Sequence, residues 1–246
     1  MIPMTNMTPS HVLTTLCEQS SALVGHLSLR EEAIPDCYSH LFGSIRGTAV
    51  ELHTRRFSGG VFRSLTIATI RKQPSGELCS LTVVGLPTPS SLLPILGVDL
   101  IALQGSLSLI AIDLSPTDEA VYTEHASPIL ESLAKRAESV TIPRKRPTFC
   151  HDTFSPLALI CAARPGHEAQ VEQVIAHFLS QVITLCAPST RPSTHEERSR
   201  RAWQQQRAWL LSEQANRKEA NALSLMFGEP IASRYLQEFL FEVPHE

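Results

Sequence analysis

The chain has no apolar run approaching the ~18 to 20 residues needed to cross a bilayer. Its net charge of −3 over 246 residues gives no global basis for binding nucleic acid. The six cysteines (Cys17, Cys37, Cys79, Cys150, Cys161 and Cys186) form no CxxC pair and no ligand-like Cys/His spacing. Cys150 and His151 are adjacent, an arrangement that rarely serves one metal. Reduced thiols are therefore expected, rather than a disulfide frame, a zinc site or an iron–sulfur cluster. With eleven glycines there is no phosphate-cradling loop; GxSxG is missing, and the ten histidines form no HxH or HExxH. The opening "MIPMTNMTPSHVLTTLCEQS" lacks a basic stretch followed by an apolar one, and also lacks Arg-rich character. No targeting segment is read there, and a cytoplasmic location is expected.

What is present is enough for one large core: 43% of residues are apolar and 18% charged. We read 1–246 as one domain, with N-terminal helices over 1–45, a central sheet over 46–165 and C-terminal helices over 166–246. "SHVLTTLCEQSSALVGHL" spaces its apolar residues helically behind a candidate N-cap, Ser10, and "LREEAIPDCYSHLFG" reads as a second helix interrupted at Pro35. From Gly47 the period becomes two. "TAVELHTRR", "VFRSLTIATIR", "LCSLTVVGL", "GVDLIAL" and "SLSLIAIDL" are strand candidates divided by short breaks that suit hairpins, and "SPLALICAARP" is a sixth. Helical patterns return in "SPILESLAKRAESV", in "GHEAQVEQVIAHFLSQVITLC" and through most of 195–240, while Pro188 and Pro192 mark a connection. The expected class is α+β: an α/β/α sandwich around a mainly antiparallel sheet of about six strands.

One residue stands out against that pattern. Between residues 93 and 114 nearly everything is apolar except Asp99, Asp113 and the turn-like "QGS". A charged, unpaired carboxylate inside such a stretch is costly. Asp99 therefore sits either at a wet strand end or in a pocket that uses a proton donor. Alternation puts it on the side of Ile101 and Leu103, and covering that side would raise its pKa toward neutrality.

"LPILGVDLIA…GSLSLIAIDLSPTD" resembles the central segment of the ferredoxin-dependent bilin reductases, an "LP-x-x-G-x-D" strand followed by "x-A-x-x-DLSP". In the same order, "GVFRSLTIATI" is similar to that family's "FRKLH"-type strand and "FSPLALICAARPG" to its "F…CLFIRP" strand. "NRKEANALSLMFGEPIASRYLQEFLFEVP" is similar to its "ND…AFGEEWADRYM…LFDVP" ending. The likeness spans about residues 47 to 244.

The resemblance implies ferredoxin-dependent reduction of biliverdin or a related linear tetrapyrrole to a phytobilin. The bilin, held between the sheet and the C-terminal helices, is itself the redox centre. No cofactor or metal is expected to be bound; ferredoxin supplies electrons one at a time, and the enzyme is expected to act as a monomer. Asp99 matches the family's central proton-donating aspartate. Lys218 and Arg164 match cations that meet the bilin propionates, with Arg63 and Arg217 as further candidates, and Asn216 matches the Asn of "ND".

The departures are equally specific. Where several members carry a His and a Glu two residues apart, this chain has Thr66 and Ala68. A further His falls at about Thr82, and the Asp of "ND" is Arg217, which cannot release a proton. Thr66 and Thr82 hold a water or a pyrrole group, or are β-branched filler. His53 and His151 are minor proton-relay candidates. Ferredoxins are acidic, so "PRKRP" at 143–147 and "ERSRRAWQQQRAW" at 197–209 are candidate docking cations. Two alternatives stay open: a bilin- or haem-binding protein without turnover, and a reductase of a chlorophyll-derived open-chain tetrapyrrole.

Overall fold

A computed structural model describes residues 8–147, 154–187 and 196–243; Cys150, His151, Pro188 and Pro192 lie outside the described residues. Helix α1 (Pro9–His26) opens the chain. Its cap is Thr8, whose hydroxyl accepts the His11 N–H at 3.3 Å; the candidate cap Ser10 instead accepts the Leu78 N–H at 2.9 Å. Next come β1 (Arg30–Glu32), the single turn α2 (Asp36–Ser39) and β2 (His40–Ile45). A second helix was expected here. These residues pair instead with the outer edge of the long strand β3 (Thr48–Gly59), β1 against Arg56–Ser58 and β2 against Thr48–His53. The open backbone groups of that edge outweigh a weak local helical pattern.

Strands β4 (Phe62–Lys72), β5 (Leu78–Pro87), β6 (Ile95–Leu103) and β7 (Ser106–Ser115) then follow as consecutive antiparallel neighbours. The short helix α3 (Glu119–Val121) and α4 (Ser127–Ala137) lead to β8 (Thr141–Pro143) and β9 (Leu159–Ala163), and β9 pairs with β7. Among the described residues the sheet therefore has nine strands rather than about six, in the order β1-β3-β4-β5-β6-β7-β9-β8 with β2 also on β3. Helices α5 (Glu168–Leu185), α6 (Glu196–Gln214), α7 (Arg217–Phe227) and α8 (Glu229–Arg234) complete the chain.

The two sheet faces bury different partners. Phe57, Leu65, Leu81, Val83, Val98 and Leu100 pack with Leu13 and Leu16 of α1, Leu130 of α4 and Phe178 of α5. Val50, Leu52, Ile70, Val84, Leu86 and Ile95 pack with Trp209, Leu210, Leu223, Phe227 and Tyr235 of the C-terminal helices. Each such fully buried side chain is worth about 1.5–3 kcal/mol.

Two contacts set where the C-terminal helices lie. Gln206 of α6 donates to the Pro87 carbonyl at 3.0 Å. Helix α7 lies so close to β2 that a Cβ on Gly43 would come within 2.1 Å of the Met226 carbonyl oxygen. Between these contacts the helices bridge the middle of the sheet. Ser80, Thr82, Gly97, Asp99 and Ile101 are left only partly covered there.

Candidate active site

The floor of this cleft is fixed by strand register. Thr54, Ala68, Thr82, Asp99 and Ala111 are paired residue to residue across β3 to β7, so their side chains share one face. One step along, Arg56, Thr66, Val84, Gly97 and Asp113 form a parallel row. Thr66, Thr82 and Asp99 thus lie together beneath the C-terminal helices. Along β6, Val98, Leu100 and Ala102 are buried in the opposite core, while Gly97, Asp99, Ile101 and Leu103 face the other way. A methyl group added at Gly97 would meet nothing within 4 Å among the described residues, which leave the floor beside Asp99 open.

Asp99 keeps some exposed surface, yet its carboxyl is walled by protein. The loss of water pushes its pKa up to about 6. The Thr82 hydroxyl, donating to Oδ1 at 3.0 Å, opposes part of that rise. Asp113 has another role. It accepts hydrogen bonds from the Ser115 hydroxyl (2.5 Å), the Ser155 hydroxyl (2.5 Å) and the Ser155 N–H (2.9 Å), which ties the end of β7 to the segment before β9.

The helical wall carries two more acids. Ala202, Gln206, Trp209, Leu210 and Glu213 form the buried stripe of α6, so Glu213 occupies a position that helical periodicity reserves for apolar residues. Asn216 caps α7 by accepting the Lys218 and Glu219 N–H groups at 3.2 and 3.4 Å. Its amide also reaches the Glu213 and Glu219 carboxylates, both at 3.5 Å. Burial, with the Asp99 and Asp113 charges adding to it against the Asn216 hydrogen bond, pushes Glu213 up to about 8. Burial, then the charges of Asp99 and Glu213, raise Glu219 well above the carboxylate range. Asp99 has the lower value of about 6, so it ionises before Glu213, and its charge holds the proton on the helical side.

Cations lie at the β3–β4 end of this face. The Arg63 Nε donates to Gln206 Oε1 at 3.2 Å and its guanidinium lies 5.1 Å from the centre of the Trp203 ring. Its Nη2 is buried without a hydrogen-bond partner among the described residues. Arg56 donates to the Phe239 carbonyl at 2.5 Å and lies 3.8 Å over that ring. Tyr235 shares a 2.9 Å hydrogen bond with Thr54.

A family model described as ferredoxin-dependent bilin reductase matches residues 18–242. The chain belongs to that family. The phycocyanobilin:ferredoxin oxidoreductase of Synechococcus sp. strain CC9605 is 29% identical over 66% of this chain and 65% of its own length. That of a Prochlorococcus marinus strain is 27% identical over 92% of this chain and 89% of its own length. The crystal structure of phytochromobilin synthase from tomato, in complex with biliverdin, superposes with a TM-score of 0.76 at 17% identity, covering 93% of this chain and 82% of that one. The fold is therefore shared at a distance where most side chains have changed.

Not every residue singled out from the sequence joins the cleft. Arg217 and Lys218 are exposed in the first turn of α7, and Arg164 is exposed just beyond β9. The Asn216 side chain is committed to capping α7 and to the two glutamates. His53 lies on the opposite side of β3 from Thr54, with its ring 4.5 Å from that of His40. Trp209 is buried between Phe154 and Phe241, whereas Trp203 is half-buried under Arg63. Glu213 and Glu219 went unnoticed in the sequence. The available signal was their spacing: Glu213 continues the Gln206–Trp209 stripe, and Glu219 stands four and eight residues before the buried Leu223 and Phe227.

Proposed function

We propose that the protein reduces biliverdin or a related linear tetrapyrrole to a phytobilin, with the bilin in the cleft over Asp99 and ferredoxin delivering electrons one at a time. The observation that carries this reading is a single arrangement. A carboxyl that titrates near neutrality sits on an open sheet face, paired with a threonine and covered by helices, in a chain of the bilin reductase family. Asp99 protonates the reduced bilin, and Thr82 orients it by holding one carboxylate oxygen. Thr66, buried in the neighbouring row of the same face, supports the floor from beneath the C-terminal helices.

Propionates fall to cations, which match them in charge and hydrogen-bond geometry. Arg63, desolvated and with an unpartnered Nη2, is the best supported; Arg164, Arg217 and Lys218 are exposed and serve where the bilin edge leaves the cleft. Asn216 acts through the glutamates it bridges. The protein acts as a cytoplasmic monomer with no resident cofactor. Ferredoxin docks on exposed cations such as Arg144 and Lys145, next to β8, and Arg200 and Arg207 on α6.

Replacement of the family's His and Glu by Thr66 and Ala68 favours, as a second reading, bilin binding without turnover. Mixing the purified protein with biliverdin anaerobically, then adding reduced ferredoxin, separates the two. The expected result is a changed biliverdin spectrum on mixing, followed by bleaching or a shift that slows as salt is raised. A spectral change on mixing with none after ferredoxin supports the second reading. No change on mixing removes both, and a panel including chlorophyll-derived open-chain tetrapyrroles then tests that substrate class.

A further inference from the structure

From the wall facing Asp99 we infer that Glu213 and Glu219, bridged by Asn216, form the second proton source for the bilin, replacing the acid this chain lacks where Arg217 stands. The inference rests on the bilin-reductase reading and adds to it the residues that protonate from the helical side.

Geometry carries it first. The tight turn at Ala215 and Asn216 ends α6 and starts α7, and so brings two carboxylates from separate helices to one amide. Glu213 lies on the buried stripe of α6, and Glu219, half-buried, stands four and eight residues before the buried Leu223 and Phe227 of α7. Glu213 is only 5% exposed, and its Oε1 is buried with no hydrogen-bond partner among the described residues. Neither glutamate has a cationic partner among the described residues. The charged and titratable groups around them are Asp99 from β6, Asp113 from β7 and Tyr235 from the end of α8, with Arg56 turned toward Phe239 and Glu242. Buried Glu213, and half-buried Glu219 whose carboxyl is withdrawn from water, have no countercharge among the described residues; ionising them destabilises the fold, so they are held as carboxylic acids. A purely structural role would be filled at lower cost by apolar residues.

The balance of the reaction gives them work. Saturating one double bond takes two electrons, one from each of two reduced ferredoxins, and two protons. Asp99 supplies a proton from the sheet side and the Glu213–Glu219 pair supplies the other. In each case the carboxyl O–H breaks as a new bond to hydrogen forms on the bilin, and the carboxylate left behind is reprotonated from water. At neutral pH the pair is the better stocked of the two sources, because Glu213 holds its proton to about 8 and Asp99 only to about 6.

Glu213→Gln, Glu219→Gln and the double substitution test this by biliverdin titration, single-turnover reduction with ferredoxin, and infrared absorption of protonated carboxyl groups at pH 7. We expect all three variants to bind biliverdin as the parent does, which also reports that they fold. The double variant should accept the first electron, accumulate a partly reduced bilin and complete turnover roughly 10²-fold or more slowly. It should also lose a protonated-carboxyl infrared band. Parental turnover and product in the double variant, or an unchanged infrared band, overturn the inference. A parent chain that binds biliverdin but never reduces it overturns the reaction itself, an outcome distinct from loss of the pair's role.

Discussion

In the proposed reaction, Asp99 and Thr82 divide one task between them. The carboxyl needs a proton near neutral pH, which burial provides, and a fixed orientation, which the 3.0 Å hydrogen bond provides. Asp99→Asn keeps the shape and removes the acid. Biliverdin binding should survive, while turnover should fall by about 10²- to 10⁴-fold, the range of a lost general acid. Where protonated Asp99 limits the parent enzyme, the rate should decline as pH rises through about 6, and this limb should vanish in the Asn variant. Rates across pH with reduced ferredoxin check both points, and unchanged turnover in the variant removes Asp99 from the mechanism. Asp113 shows why residue type alone does not mark a catalytic acid. It shares the cleft face with Asp99, yet three donors from Ser115 and Ser155 occupy its carboxylate.

At the scale of elements, the wall stands where it does because α7 lies against β2. Gly43 permits that approach: any Cβ there would sit 2.1 Å from the Met226 carbonyl oxygen and 2.7 Å from the Phe227 ring. Backbone cannot yield as a side-chain tip can, so Gly43→Ala should push α7 outward. We expect a loss of about 1–3 kcal/mol, typical of overpacking, together with weaker biliverdin binding as Glu219 moves with its helix. Urea unfolding and a biliverdin titration measure the two effects, and parental values in both would show that β2 does not set the position of α7.

Across the whole molecule, three acids whose carboxyls are withdrawn from water leave a signature in stability. In the unfolded chain Asp99 and Glu213 release protons at ordinary values of 3.8 and 4.5; in the folded chain they hold them to about 6 and about 8. Between those limits the folded state carries more protons at these sites, so their contribution to stability is full below about 4 and falls as pH rises toward 8. Glu219, raised in the same direction, steepens the fall. Urea midpoints from pH 5 to pH 8 should therefore drop with pH in the parent and drop less in Glu213→Gln. Equal slopes in the two proteins would show that Glu213 ionises normally.

The sequence by itself determined the strands from β3 to β7 and β9, the helices on either side of them and the place of Asp99 on its strand. Those features follow from local periodicity and turn chemistry, which are written in consecutive residues. It also carried the family resemblance and the loss of the His, Glu and Asp at 66, 68 and 217. Tertiary structure decided the rest. Residues 30–32 and 40–45 became edge strands because β3 had backbone groups to satisfy, a demand that appears only once the sheet exists. Glu213 and Glu219 became neighbours of Asp99 because two helix stripes were laid over one sheet face. Burial and charge proximity, which set when a carboxyl holds its proton, are properties of that packing and not of either helix alone.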